Sequence, residues 1–202
     1  MLTSRAVGPS LRRYFLNSRI ENVAYLSAPQ LQLALKPQDL FVLFALSARN
    51  SLADATYTEL TAQTDLATSA VHSALKRAAV SGLAASQGGQ LVLLKPQLRE
   101  FVLHGARYAF PPIHGKLTRG VPTSYAAPPL NKVIAPSSDP PPVWPHIKGK
   151  IRGVAFVPLY PTVPDAAVRN PRLYALLALF DALRSGQARE RNVAQQMLEE
   201  RI

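Results

Sequence analysis

The feature that most constrains this chain lies between residues 56 and 83, where two helical patterns are joined by a very short connection. Thr56 and Glu59 form a capping box, so a helix should begin near Tyr57 and end near Gln63. Asp65 stands in the connection and tolerates the left-handed conformation that such a turn often needs.

The second helix is predicted from about Thr68 to Ser81, and Gly82 is suited to end it. The segment from Leu83 to Leu94 then indicates two strands around Gly88-Gly89, a two-residue hairpin signal. A helix beginning at Pro37 precedes this unit and is apolar on nearly all sides, which predicts that it is buried. Another helix should begin at Pro96. The order is helix, helix, turn, helix, hairpin, helix.

This order is that of a winged helix-turn-helix, and residues 36–110 resemble the MarR-like bacterial transcription regulators. The matching positions are Val71, Leu75, Lys76, Arg77, Gly82 and Leu83. Asp65, Ala67 and Ser73 stand where relatives often carry Gly, Ser and Arg. The resemblance implies that the helix from Thr68 is a recognition helix and that the hairpin is its wing.

The polar side of this helix carries the residues expected to contact DNA. Ser69, His72 and Ser73 lie in the N-terminal part, from which a recognition helix reaches base edges. Lys76 suits a phosphate or a guanine edge, whereas Arg77 would contact DNA or turn back across the first helix to pair with an acid. The predicted DNA-contacting set is Thr68, Ser69, His72, Ser73, Lys76, Arg77, Arg12, Arg13, Gln90 and Lys95. The alternatives are a solvated face on a helix that only packs, and a winged helix used for protein interaction.

Charge is distributed unevenly along the chain. The net charge is +11, which favours a polyanionic partner. Residues 31–94 hold four cations and four acids and are neutral, whereas residues 1–30 carry +3 and residues 95–152 carry +7. The basic segment 1–35, with Arg12 and Arg13, is therefore expected to act as an arm on DNA. It could equally form a helix that packs Leu11 and Phe15 on the body, and the two interpretations are compatible.

Residues 111–164 hold 13 of the 18 prolines but also many aromatic and branched apolar residues. Disordered segments are poor in such residues, so we expect an ordered, extended segment that covers the body or a partner. The stretch from Arg107 to Leu130 mixes Arg107, Lys116 and Arg119 with aromatic residues and could form a second contact surface for DNA or protein; the alternative is a purely structural segment. Trp144 and Tyr160 are the predicted partner-contacting residues. Most of the chain also resembles an uncharacterised group of bacterial winged-helix proteins.

The C-terminal segment, residues 165–202, indicates two helices separated by Gly186. Asn170 and Pro171 are suited to the N-cap and the first position of the first helix. The predicted dimer-contacting stripe is Leu173, Leu176, Leu177, Phe180 and Leu183. A two-fold dimer would present two recognition helices about one DNA turn apart. The alternative is packing of this stripe against the helix that begins at Pro37.

No catalytic constellation is recognisable in the sequence. The four histidines, His72, His104, His114 and His146, lack metal-ligand spacing, and there are no cysteines. We therefore expect a protein that is not an enzyme and needs no cofactor or metal. The N-terminus lacks the apolar stretch of a signal peptide and no apolar run approaches a membrane span, so we expect a cytoplasmic protein without a membrane partner.

Together these patterns predict a mainly α-helical fold with a small β-hairpin wing, an extended proline-rich segment and C-terminal helices. The predicted divisions are residues 1–35, 36–110, 111–164 and 165–202. The expected function is sequence-specific binding of double-stranded DNA by a homodimeric repressor. An antitoxin or adaptor that binds a partner protein through its proline-rich and C-terminal segments is the alternative, and a plasmid- or phage-type replication protein is a third.

Overall fold

The first half of the fold follows from the local signals of the sequence. The computed structural model describes residues 34–49, 56–87, 90–135 and 137–202, all within one compact unit, Leu33–Ile202. Its elements up to residue 109 are α1 (Pro37–Ser47), α2 (Tyr57–Thr64), α3 (Thr68–Val80), β1 (Ala84–Gln87), β2 (Gln90–Leu93), α4 (Lys95–Glu100), a π-helical turn (Phe101–Gly105) and α5 (Ala106–Ala109). Arg12, Arg13 and the predicted arm lie outside the described residues.

The turn signals have the predicted structures. Thr56 Oγ1 accepts from the Glu59 amide at 3.2 Å, and the Glu59 carboxylate accepts from the Thr56 amide at 3.2 Å. Asp65 has a φ of 54° and Gly82 a φ of 71°, both in the left-handed region. Strands β1 and β2 pair antiparallel on either side of residues 88–89, which lie outside the described residues. The predicted helices and hairpin of this half are confirmed.

Helix α1 is the centre around which this half packs. All its residues from Asp39 to Ser47 are buried, as its all-round apolar pattern predicts. Helix α3 turns its apolar side towards this core, with Val71, Leu75 and Ala78 at most 3% exposed. The opposite side of α3 faces outward, so the packing fixes which of its residues are available.

The proline-rich segment has a different structure from the one predicted. It contains β3 (His114–Pro122), β4 (Pro142–Pro145) and β5 (Ile151–Phe156), with 3₁₀ turns at Ser124–Ala126 and Leu130–Lys132. β3 is antiparallel to both β4 and β5, which are parallel to each other, so each strand pairs with the other two. The segment is ordered, as predicted, but it is not simply draped over the body, because its backbone groups pair with one another within this small sheet.

Two glycines permit the close approach of these strands. A Cβ atom at Gly120 would overlap the Trp144 carbonyl, and one at Gly153 would overlap the Pro141 carbonyl. Both positions therefore need a residue without a side chain. The three strands close on one another only because β3 and β5 each carry a glycine at the contact point.

Three helices complete the chain: α6 (Val163–Arg169), α7 (Pro171–Ser185) and α8 (Ala188–Arg201). Asn170 caps α7 as predicted, with its Oδ1 accepting from the Arg172 and Leu173 amides at 3.1 and 3.2 Å. None of the helices among the described residues is long and apolar enough to cross a membrane.

The predicted dimer stripe of α7 lies in the interior of the single chain. Leu173, Leu176, Leu177, Phe180 and Leu183 are each at most 3% exposed. The Phe180 ring lies 5.6 Å from that of Phe44 on α1. The assignment of this stripe to a dimer interface is therefore wrong, and packing against α1, the alternative interpretation, is what the structure has.

A buried polar network joins α7 to the sheet. The Asp181 carboxylate accepts from Thr123 Oγ1 and Trp144 Nε1, both at 2.7 Å, and from the Arg184 guanidinium at 2.8 and 2.9 Å. Arg184 also donates to the Val157 carbonyl at 3.2 Å. Trp144 is 1% exposed, so its assignment to a partner protein is wrong. Tyr160, the other predicted partner residue, is half-buried and packs against the core.

Removal of the Asp181 carboxylate should destabilise the fold strongly. Asp181→Ala leaves the Arg184 charge and the Trp144 indole without their acceptor in the interior, so we expect a loss of about 3–5 kcal/mol in the free energy of unfolding. Asp165→Ala is the matched control, because it removes the exposed contact to His146 and should cost at most about 1 kcal/mol. Urea denaturation followed by circular dichroism measures both. Equal losses would contradict a central role for the network.

Candidate nucleic-acid interface

The outer side of α3 carries a continuous row of small polar side chains and one lysine. Thr68, Ser69, His72, Ser73 and Lys76 are all exposed. Val71, Ala74 and Leu75 occupy the core side of the same helix. A rotation of α3 that buried the polar side chains would expose these three apolar residues, so the polar side chains stay in contact with solvent. The structure thus brings together the five predicted contact residues of α3 on one solvent-facing surface, which we call the α3 face.

Arg77, the sixth predicted contact residue of α3, belongs to the interior instead. Its Nε donates to Asp39 Oδ2 at 2.7 Å and its Nη2 to Asp39 Oδ1 at 2.5 Å. Asp39 is completely buried at the start of α1, where it also accepts from the Lys36 amide at 2.8 Å. These hydrogen bonds raise the pKa of Arg77. The assignment of Arg77 to DNA contact is therefore wrong, because its guanidinium holds α3 onto α1.

An aromatic residue extends the α3 face and was not predicted. Tyr57, the first residue of α2, is 41% exposed and its ring lies 5.8 Å from that of His72, at an interplanar angle of 35°. The contact holds the imidazole beside the phenol ring. The sequence pattern identifies Tyr57 only as the start of a helix. Its position one helix before His72, across a short turn, is the feature that could have placed it beside the α3 face.

The turn between α2 and α3 is braced from the other half of the chain. Arg169 on α6 donates to Asp65 Oδ2 at 2.5 Å, and Thr162 Oγ1 donates to the Thr64 carbonyl at 2.5 Å. Thr64 itself is fully buried. Three elements therefore hold the α3 face in place: α1 through Asp39, α2 through the turn, and α6 through Arg169.

The remaining predicted contacts lie elsewhere. Gln90 is the first residue of β2, and its side chain lies outside the described part of the structure. Lys95 begins α4 and lines a pocket together with Arg172 and Arg201, to which α3 contributes no residue. The structure thus places Lys95 at a separate site from the α3 face.

A second basic surface forms on the three-stranded sheet. Arg119 on β3 lies directly opposite Arg152 on β5, and with Lys150 they line a shallow cleft of about 350 Å³. All three are exposed, and none has a carboxylate within 4 Å among residues 34–49, 56–87, 90–135 and 137–202. Like charges opposite each other on a sheet are unfavourable, so this basic sheet surface is suited to an anionic partner.

The described part of the chain contains no cluster of three or more His, Asp or Glu side chains that could hold a metal ion. Comparison of the chain with protein-family models, with curated proteins and with solved structures gives no match. The α3 face and the basic sheet surface are therefore the features of the molecule from which a function can be inferred.

Two neighbouring basic residues of α3 should differ sharply in their effect on stability. Arg77→Ala leaves the buried Asp39 carboxylate without its charged partner, so we expect a loss of about 3 kcal/mol in the free energy of unfolding. Lys76→Ala removes an exposed side chain and should change it by less than about 0.5 kcal/mol. Chemical denaturation of both variants measures the difference. A similar, small effect of both would show that the Asp39 pair does not hold α3.

Proposed function

We propose that the protein is a sequence-specific, double-stranded-DNA-binding transcription regulator of the winged helix-turn-helix, MarR-like type, acting as a repressor. The observation that carries the proposal is the α3 face, a row of exposed polar side chains on the second helix of a tight helix–turn–helix. The helix is followed by a two-stranded hairpin, which occupies the position of a wing. Nothing in the packing of α3 requires polar residues at these positions.

The α3 face has the chemistry expected of a surface that contacts base edges. Ser69, Ser73 and the imidazole of His72 can donate and accept hydrogen bonds and lie in the first half of α3, the part from which recognition helices contact bases. Lys76 is one turn further along, where a phosphate contact is expected. The Tyr57 ring packs at a tilt beside His72 and would restrict the orientation of His72 in the groove.

The basic sheet surface supplies a second role in the same proposal, contact with phosphates. Residues 31–94 are electrically neutral, whereas residues 95–152 carry a net charge of +7. Affinity for DNA that does not depend on its sequence comes mainly from cations placed against phosphates. Arg119 on β3, Arg152 on β5 and Lys150 just before β5 are exposed cations around one cleft, which suits them to that contact.

The alternative function, an antitoxin or adaptor, loses most of the residues predicted to contact its partner, although Tyr160 is only half-buried. Trp144 and the α7 leucines are interior residues of this chain, so neither is available to a partner protein. The same burial removes α7 as the dimer interface. A homodimer stays a prediction and would need another surface.

The central test is a gel-shift titration of the protein against its own upstream region. His72→Ala removes a base contact of the α3 face, and we expect it to weaken operator binding about tenfold, within the range of about 1–3 kcal/mol for a good base contact. Lys76→Ala removes a phosphate contact, so it should weaken binding to the operator and to unrelated DNA alike. Binding to unrelated duplex DNA should change less with His72→Ala than binding to the operator does.

Arg189→Ala is the matched control for this titration, because it removes an exposed cation of α8 far along the chain from α3. It should leave the operator affinity within about twofold of the starting value. Unchanged operator binding in both α3 variants would contradict the assignment of the α3 face to DNA.

The basic sheet surface has its own signature in the salt dependence of binding. In the double variant Arg119→Ala/Arg152→Ala, two phosphate contacts are lost, so the slope of log affinity against log salt should fall by about two. The loss should be the same for operator and unrelated DNA, and a set of titrations between 50 and 200 mM salt measures it. An unchanged slope would exclude the sheet from the interface.

A further inference from the structure

A cationic pocket lies on a part of the molecule that the proposed function does not use. It has a volume of about 420 Å³ and is bordered by the end of α1, the start of α4, the first turn of α7 and the end of α8. Lys95, Arg172 and Arg201 line it, together with Arg49, and no acidic residue contributes to its lining. Four cations around one small cavity repel one another unless an anion is present.

Two of these four cations, Lys95 and Arg172, have no acidic partner in the part of the chain that the structure describes. Arg49 pairs with Glu59 at 2.6 Å. Lys95 and Arg172 have no carboxylate within 4 Å among the described residues. Arg201 donates to the Met197 carbonyl at 2.9 Å and lies 3.6 Å from the exposed Glu200 carboxylate. The pocket thus has a net positive charge with room for a ligand.

Ser47 is a second, independent indication of a missing partner. It lines the pocket, is 6% exposed, and its hydroxyl oxygen has no hydrogen-bond partner among the described residues. Two other hydroxyls near helix ends bond back to the preceding turn, Thr64 to the Leu60 carbonyl at 2.7 Å and Ser185 to the Asp181 carbonyl at 2.6 Å, whereas Thr61 on α2 likewise has no partner in the described part of the chain. A buried hydroxyl without a partner costs about 1–3 kcal/mol, which a bound acceptor would offset.

The first turn of α7 adds to the positive potential. Arg172 is the second residue of this 15-residue helix, so its side chain and the positive end of the helix dipole lie on the same side of the pocket. The wall beside them is apolar, formed by Pro171, Ala175 and Leu176. A lining that combines cations from several elements with apolar side chains suits a small organic molecule with an anionic group.

We propose that this pocket binds a small phosphate-bearing molecule. Its volume is within the range of about 300–1,000 Å³ that small-molecule sites occupy. Arginine guanidinium groups match the oxygens of a phosphate in pairs, and Arg172 and Arg201 contribute two such groups at the rim. The site is separate from the α3 face and from the basic sheet surface, with which it shares no residue.

Calorimetric titration of the full chain with pyrophosphate, without DNA and at constant ionic strength, tests the proposal. We expect saturable binding of one pyrophosphate per chain and a loss of at least tenfold in affinity in the double variant Arg172→Ala/Arg201→Ala. Arg189→Ala, the matched exposed cation of α8, should bind as the unchanged protein does. Absence of saturable binding, or an equal loss in Arg189→Ala, would overturn the proposal.

Two further variants separate this site from the others. Ser47→Ala should leave the unfolding temperature unchanged or raise it slightly, since it removes an unsatisfied hydroxyl, and should still weaken pyrophosphate binding several-fold. Arg119→Ala/Arg152→Ala should bind pyrophosphate normally even where its binding to DNA is impaired. If the sheet variant loses pyrophosphate binding and the pocket variant keeps it, the anion binds on the sheet and the pocket assignment is overturned.

Discussion

The Asp181 carboxylate is the interaction on which the arrangement of the second half of the chain depends. It accepts hydrogen bonds from Thr123, which follows β3, from Trp144 on β4, and from Arg184 one turn along its own helix. Burial raises the pKa of Asp181, while Arg184 and the other donors oppose that rise. Arg184 in turn lies 4.7 Å from the centre of the Phe156 ring on β5. One buried acid thereby fixes all three strands relative to α7.

The Asp39–Arg77 pair performs the corresponding task in the first half. Asp39 lies at the start of α1 and Arg77 in the last part of α3, so the pair fixes the rotation of α3 about its own axis. The consequence for the surface is direct. With Arg77 turned inward, Lys76 is the one cation among the five residues of the α3 face. The polar side of the helix is therefore defined more by hydroxyl and imidazole groups than by charge.

Elements set by neighbouring residues could be predicted, whereas those set by distant pairing could not. The capping box at Thr56, the left-handed Asp65 and the Asn170 cap are local, and each is present as expected. The pairing of β3 with β5 joins residues more than thirty positions apart. No local pattern in the proline-rich sequence between these residues indicates that they pair. The assignment of the α7 stripe to a dimer interface was wrong for a further reason. An apolar helix face has the same residue spacing whether its own chain or a second copy of the chain covers it.

The exposed cations and the uncharged polar side chains of the proposed interface lie mostly on different surfaces, the cations on the basic sheet surface and the uncharged polar side chains on the α3 face. A cation contributes to binding any phosphate, so a contact surface rich in Lys and Arg binds all sequences more tightly and discriminates little between them. In the proposed complex with DNA, Ser69, His72 and Ser73 would add little affinity for unrelated sequences, and what they contribute would depend on which base edge they meet. The cations Arg119, Lys150 and Arg152 would have no such dependence. A DNA-binding protein divided in this way would adjust its affinity and its selectivity through different residues of one compact unit.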